Sequence, residues 1–90
     1  MESQSDRQII RRRLDGNRVE WVHQIPEVVA ELEGISTDEL QPLWEVTGDV
    51  LDDLFTEPPA PSAQVEVTFS YEGYRITVGQ DGSATFVRPD

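Results

Sequence analysis

Acid–base or metal chemistry in this 90-residue sequence would have to involve its single histidine, His23. The one acidic residue three or four positions after it is Glu27, whereas a metal site or a proton-transfer pair needs further ligands or partners. The chain has no cysteine, which excludes thiolate ligands and disulfides. We therefore interpret His23 as a partly exposed polar residue that precedes a helix.

Carboxylates are plentiful, but none of them forms a recognisable site. Asp49 and Asp53 would share one helix face, with Asp52 nearby, and like charges repel each other there. We therefore interpret these residues as part of a halophilic surface that binds Na⁺ or K⁺ loosely, and not as a site for a divalent cation. Glu39 and Glu45 are not set apart from the other acids as a hydrolytic pair would be. No serine has nucleophile-elbow context. The sequence predicts no enzyme activity, metal, cofactor or small-molecule substrate.

Aromatic side chains are better candidates for function, because Trp and Tyr dominate binding hot spots. The candidates are Trp21, Trp44, Tyr71 and Tyr74. Core packing is the alternative for each, and Trp21 is the one we most expect to be exposed.

A basic cluster, Arg11, Arg12 and Arg13, is the remaining candidate. It could contact nucleic acid or an acidic partner. Alternatively it is a solvated tail, or an arm that folds back on the acidic part of its own chain. At high salt the attraction to phosphates is largely screened, which favours the alternatives.

The balance of acidic and basic residues indicates the salt concentration in which the protein works. Eighteen acidic residues face seven basic ones, all of them Arg, and the formal net charge is −11. Dense carboxylates without lysine hold water and hydrated cations, and about 1 M salt reduces the Debye length to ~3 Å, which removes most self-repulsion. Residues 1–18 carry five Arg and three acids, so they form a basic segment ahead of an acidic one. We predict a halophilic protein.

The length allows one domain. No apolar run is long enough for a membrane span or a signal peptide, so we expect a cytoplasmic protein. We predict that residues 1–17 form a basic, weakly ordered arm and that the single acidic domain occupies residues 18–90. The alternation in Arg18–Val22 allows a short N-terminal strand.

Apolar spacing predicts three short helices, at about 25–34, 36–41 and 48–56. Pro26 suits the first turn of the first helix, and Gly34 suits its end. Ser36 begins a capping box for the second helix, and Thr47 can cap the third. Thr56–Ala63 contains three prolines and is a stiff connector.

The last third predicts a β-meander with strands at about 64–71, 74–79 and 83–88. A two-residue loop Glu72-Gly73 places the six large side chains of the first hairpin on one face, and a three-residue loop Gln80-Asp81-Gly82 adds Ala84 and Phe86 to it. The predicted pairs across the strands are Tyr71 with Tyr74, Phe69 with Ile76, Val67 with Val78, Ile76 with Phe86, and Val78 with Ala84. The fold class is α+β, with two to three helices covering one face of a three-stranded antiparallel meander that an N-terminal strand could extend.

Several runs together resemble the halobacterial output domain, type 1. They are residues 27–35, 37–44, 49–55 and 67–78, followed by Asp81-Gly82. The resemblance extends over about residues 25–87. The sequence departs from the family pattern in having Trp44 where Tyr is commoner, and in its Arg-rich arm.

The resemblance implies a role in signal transduction, because members occur in haloarchaea alone or attached to receiver and sensor domains. It implies no catalytic residue. We expect an output module that binds a protein, such as a receiver or sensor component, by strand addition at the edge strand Val65–Tyr71 among other modes. The alternative is a winged-helix-like regulator that binds DNA through the arm and hairpin, although Asp49–Phe55 has three Asp and no basic residue.

Overall fold

The computed structural model describes residues 8–14 and 18–88. Within these ranges it contains three α-helices, four β-strands and two 3₁₀ turns. The helices are α1 Arg18–Glu33, α2 Trp44–Thr47 and α3 Val50–Thr56. The strands are β1 Gln8–Arg13, β2 Glu66–Tyr71, β3 Tyr74–Gly79 and β4 Ser83–Arg88. The 3₁₀ turns are Thr37–Glu39 and Pro61–Ala63.

The four strands form one antiparallel sheet in the order β1-β4-β3-β2, which makes β1 and β2 the edges. All five predicted pairs across the meander are present in its register. Glu72 and Gly73 both have positive φ, as a two-residue hairpin loop requires, and Gly82 has φ +93° in the second turn. The α+β prediction is therefore confirmed, including the fourth, N-terminal strand.

That fourth strand is not where the sequence predicted it. Arg18–Val22 is the beginning of α1, and the strand is formed by Gln8–Arg13, which pairs with β4 from Gln8–Arg88 to Arg13–Ser83. Residues 8–13 were expected to belong to a weakly ordered arm, whereas they complete the sheet. The rest of the arm, 1–7 and 15–17, lies outside the described residues, and the division of the chain at residue 18 stays a prediction.

The helices cover one face of the sheet, and the core lies between the two layers. Ile25 and Val29 of α1 and Leu51 of α3 are almost fully buried, as are Ile76 and Phe86 of the sheet. The apolar stripes of the helices pack against the inward-facing side chains of the strands, and together they form one continuous core.

Pro26 lies inside α1 and not in its first turn. A proline there cannot donate to the carbonyl of Val22, four residues earlier. The helix continues through it because Ile25, Val28 and Val29 are buried on either side. Its end is as predicted: Gly34 has φ +72°, and the N–H of Ile35 donates to the carbonyl of Ala30 at 3.0 Å.

The second and third predicted helices are shorter than expected. Ser36 forms its capping box with Glu39, but the element is a single 3₁₀ turn because Pro42 follows. Thr47 is the last residue of α2 and does not cap α3. Its hydroxyl donates to the carbonyl of Leu43, and Gly48, with φ +59°, separates the two helices.

Candidate functional site

The most exposed large apolar side chain among the described residues is Trp44, with 68% of its surface accessible. It opens α2, one residue after the buried Leu43, so the backbone turns one apolar neighbour inward and the next outward. An exposed tryptophan beside a cleft is the kind of group that anchors a protein contact.

Trp44 borders an open cleft of about 250 Å³ between α1 and the α2–α3 segment. Val22 and His23 form one wall, and Thr47, Leu51 and Asp52 contribute to the other. We call this surface the Trp44 cleft. It combines an apolar floor with carboxylates at the rim, and Val50 adds another exposed apolar side chain at the start of α3. It suits the side chains of a protein partner better than a small polar substrate.

His23 is exposed at this cleft, and Asp49 and Asp52 also line it. Within residues 8–14 and 18–88, no group of three or more His or acidic side chains is arranged to hold a metal ion. The cleft therefore provides contact area and negative charge, and its geometry assigns His23 no chemical role.

Tyr74 is buried and connects the sheet to the end of α1. Its hydroxyl donates to Glu33 at 2.6 Å, and Arg88 pairs with the same carboxylate at 3.2 Å. The Arg88 guanidinium also lies 5.8 Å from the centre of the Tyr74 ring. Burial and the hydrogen bond to Glu33 raise the pKa of Tyr74 to about 12.

Tyr71 is buried beside it and ties the sheet to the segment between helices. Its hydroxyl donates to the carbonyl of Gln41 at 2.7 Å, while the Gln41 N–H donates to Glu72 at 2.7 Å. Burial, with the nearby Glu72 charge, raises the pKa of Tyr71. Core packing accounts for both tyrosines, so neither is available to a partner in this conformation.

The three arginines of the basic cluster do not act together, because they alternate across β1. Arg12 lies on the helix side and pairs with Glu31 of α1 at 3.6 Å. Arg11 and Arg13 are exposed on the opposite face of the sheet. The cluster is therefore divided between two surfaces, which the sequence analysis did not foresee.

The outer sheet face is the second exposed surface of interest. We define it as the side away from the helices. Its strand residues, following the register, are Ile9, Arg11 and Arg13 of β1, Ser83, Thr85 and Val87 of β4, Arg75 and Thr77 of β3, and Glu66, Thr68 and Ser70 of β2. The outward positions of Ile9 and Val87 were missed, because the strand that makes them neighbours was not predicted.

Trp21 belongs to α1, and its side chain lies outside the described part of the chain. The helix that a winged-helix protein would use for recognition, α3, exposes Asp52 and Asp53 and contains no basic residue. The DNA-binding alternative therefore gains no support. No helix in the described ranges is long and apolar enough to cross a membrane.

A family model described as Halobacterial output domain 1 matches residues 17–88. The match covers the helices and the meander and begins after β1. No curated protein and no solved structure shows a significant match.

Proposed function

The chain belongs to the halobacterial output domain 1 family, and from that membership we propose that it is a non-enzymatic output module of signal transduction that acts by binding another protein. The observation that carries the proposal is the exposure of Trp44 at 68% beside a cleft. A tryptophan left in water by a domain with little apolar bulk is best explained by a partner that covers it.

The chemistry of the exposed groups supports binding over catalysis. The pKa shifts found belong to two buried tyrosines, held by structural hydrogen bonds, and to a turn aspartate. A catalytic centre usually brings an acid or base with a perturbed pKa into a cleft. The two tyrosines are instead buried in the core, and Asp81, which lines a cleft beside the proline-rich connector, has its pKa lowered by hydrogen bonds from Ser83 of its own turn. We propose a receiver or sensor component as the kind of partner, at a cytoplasmic site of action.

A second mode of contact is available at β2. Among the described residues, the backbone groups of 66–70 form hydrogen bonds only within the β2–β3 ladder, so this edge can accept another strand. Strand addition would give affinity through the backbone, while the Trp44 cleft would give side-chain selectivity.

The proposal is tested by affinity capture from a haloarchaeal lysate in about 2 M KCl, conditions that preserve the state of an acidic protein. The baits are the wild-type chain, Trp44→Ala and Ile35→Ala, the last being an exposed apolar residue that does not line the cleft. We expect the wild type and Ile35→Ala to retain the same protein, and Trp44→Ala to retain roughly tenfold less of it.

Capture of nothing beyond what an unrelated acidic bait retains would refute protein binding as the function. Equal capture by all three baits would remove Trp44 from the contact and leave the β2 edge as its site.

A further inference from the structure

The outer sheet face has the opposite charge to the rest of the molecule. Its strands present three arginines, Arg11, Arg13 and Arg75, and one carboxylate, Glu66. The chain as a whole carries a net charge of −11. A basic surface on so acidic a protein is not explained by solubility, since the surrounding carboxylates already supply that.

Arg11 and Arg75 carry positive charges that no carboxylate of the described residues neutralises. Arg12 and Arg88 pair with Glu31 and Glu33 on the helix side. In the part of the chain that the structure describes, no carboxylate lies within ion-pair distance of Arg11 or of Arg75, whose guanidinium donates to the neutral Ser70 hydroxyl at 3.0 Å.

Arg13 is partly compensated. Its guanidinium donates to the backbone carbonyl of Asp81 at 2.9 Å. Hydrogen bonds from the Ser83 backbone N–H and hydroxyl hold the pKa of Asp81 below its usual range, so this carboxylate is ionised beside Arg13. Arg11 and Arg75 therefore define the positive part of the face.

Between them lies an apolar strip. The register puts Arg75 opposite Val87, and Val87 opposite Ile9, while Thr85 lies opposite Arg11. Ile9 is 52% exposed. Arginines around a partly apolar centre are the composition of a protein interface.

The spacing of the two arginines fits an extended chain. They are two strands and two residues apart, which places their Cα atoms roughly 12 Å from each other in a sheet with ~4.8 Å strand spacing and ~3.4 Å rise per residue. In an extended segment, side chains four residues apart on one face are about 13 Å apart. Two carboxylates at that separation reach both guanidinium groups, and the side chain midway between them, two residues from each, lies over β4 between Val87 and Thr85.

We propose that the outer sheet face binds an extended acidic segment of another protein, which presents two carboxylates four residues apart and an apolar side chain midway between them on the same face. This inference depends on the proposed function and names the chemistry of one partner. A protein segment fits better than nucleic acid, because high salt removes most of the affinity that phosphate contacts supply, whereas Val87 and Ile9 can still be covered by an apolar side chain. At high salt, direct Arg–carboxylate contacts and apolar burial persist while long-range attraction is screened.

The specificity of the face would be a property of this chain's own N-terminus. Arg11 and Ile9 lie on β1, ahead of the residues 17–88 that match the family model. The family core contributes Arg75 and Val87, and the added strand contributes the second cation and the rest of the apolar strip.

The test uses a fluorescent peptide of about eight residues that repeats the pattern Glu-Ser-Val-Ser, so that Glu and Val lie on one face of the extended chain. We call it the Glu–Val peptide; in the control, the Lys–Val peptide, Lys replaces Glu, and both are used in about 2 M KCl. Binding is measured by anisotropy to the full chain, to Arg11→Gln/Arg75→Gln, and to Arg12→Gln/Arg88→Gln. The second variant loses the same two charges from the helix side, and circular dichroism verifies that both variants are folded.

We expect the Glu–Val peptide to bind the wild type and the Arg12/Arg88 variant alike, and the Arg11/Arg75 variant roughly tenfold more weakly. The Lys–Val peptide should bind none of them. No binding of the Glu–Val peptide, or equal loss in both variants, would overturn the assignment to this face.

Two other occupants are distinguished in the same conditions. Tighter binding of a short DNA duplex than of the peptide, lost in the Arg11/Arg75 variant, would replace the protein segment with nucleic acid. Self-association in sedimentation, lost in that variant, would replace it with a second copy of this chain. Each result leaves the Trp44 capture experiment unaffected, so failure of this inference is separable from failure of the proposed function.

Discussion

At the scale of single residues, Tyr74 connects the sheet to the helical layer. It is buried, yet its hydroxyl reaches Glu33 at the end of α1, and Arg88 approaches the same carboxylate. A buried phenol satisfied in this way stabilises the fold only while it keeps its proton, because the phenolate would be buried beside a carboxylate.

This gives a prediction at alkaline pH. The folded pKa of Tyr74 is about 12, above the ordinary value of 10.0, so the folded state binds the proton more tightly than the unfolded state. Its contribution is fully present below pH 10 and is lost as the pH rises towards 12. We expect the free energy of unfolding, from urea titrations in constant KCl, to fall across that window.

Tyr74→Phe is the matched variant. It should be less stable than the wild type at pH 8 by about 1 kcal/mol, because the hydrogen bond to Glu33 is lost. It should also lose less stability between pH 10 and 12, where the remaining dependence comes from Tyr71, whose pKa is also raised. Parallel pH profiles for the two proteins would contradict this role of Tyr74.

At the scale of elements, the strand added at the N-terminus is the feature that most changes the molecule. β1 covers the edge of β4 along six residue pairs, and it sends Ile10 towards the core and Ile9 away from it. The two residues are chemically identical neighbours, so they provide an internal control for whether β1 is a structural strand.

We predict that Ile10→Ala destabilises the chain by about 1–2 kcal/mol, less than a fully buried Ile because Ile10 is half-buried. Ile9→Ala should change stability by less than ~0.5 kcal/mol, because Ile9 is 52% exposed. Urea unfolding in constant KCl measures both. Equal effects of the two substitutions would mean that β1 does not pack as described.

The two hairpins could be predicted from sequence because turn chemistry and side-chain alternation agree there. A slip of one residue in either hairpin would separate Phe69, Ile76 and Phe86 onto different faces, and the turn glycines allow the register that keeps them together. β1 could not be predicted, because its inward positions include Arg12, which is accommodated only through Glu31 on another element. An alternating sequence pattern cannot show that an inward-facing Arg12 is paired, because its partner Glu31 is brought near it only by the tertiary fold.

The start of α1 was missed for a related reason. Five alternating residues fit a strand and a helix equally, and the preference of proline for a first turn placed the boundary at Pro26. Tertiary burial of Val28 and Val29 overrides the local cost of an interior proline. The exposure of Trp44 was likewise undetermined, because an aromatic side chain in a short apolar run is compatible with either side of a helix.

At the scale of the whole molecule, the charge distribution separates two surfaces. The helical layer carries most of the carboxylates, and two of them, Asp49 and Asp52, line the Trp44 cleft. The outer sheet face carries Arg11 and Arg75, which pair with no carboxylate of the described residues. A module with two chemically different faces can hold two partners at once, which is what a connection between an upstream signal and a downstream target requires.

The same distribution predicts that folding depends on salt. With a net charge of −11 on 90 residues, the folded chain concentrates carboxylates that the unfolded chain keeps apart. Lowering KCl from about 2 M to about 50 mM lengthens the Debye length from a few ångströms to more than 10 Å, so repulsion across the helical layer is no longer screened. We expect the far-UV circular-dichroism signal to be lost over this range.

Neutralising exposed carboxylates distinguishes repulsion from general salting-out. Glu27→Gln/Asp53→Asn removes two negative charges from exposed positions on α1 and α3. If repulsion is the cause, this variant should fold at a lower KCl concentration than the wild type, because less charge has to be screened. An unchanged midpoint would assign the salt effect to burial of apolar surface, which multimolar salt also strengthens. Full structure of the wild type at about 50 mM KCl would contradict the halophilic interpretation itself.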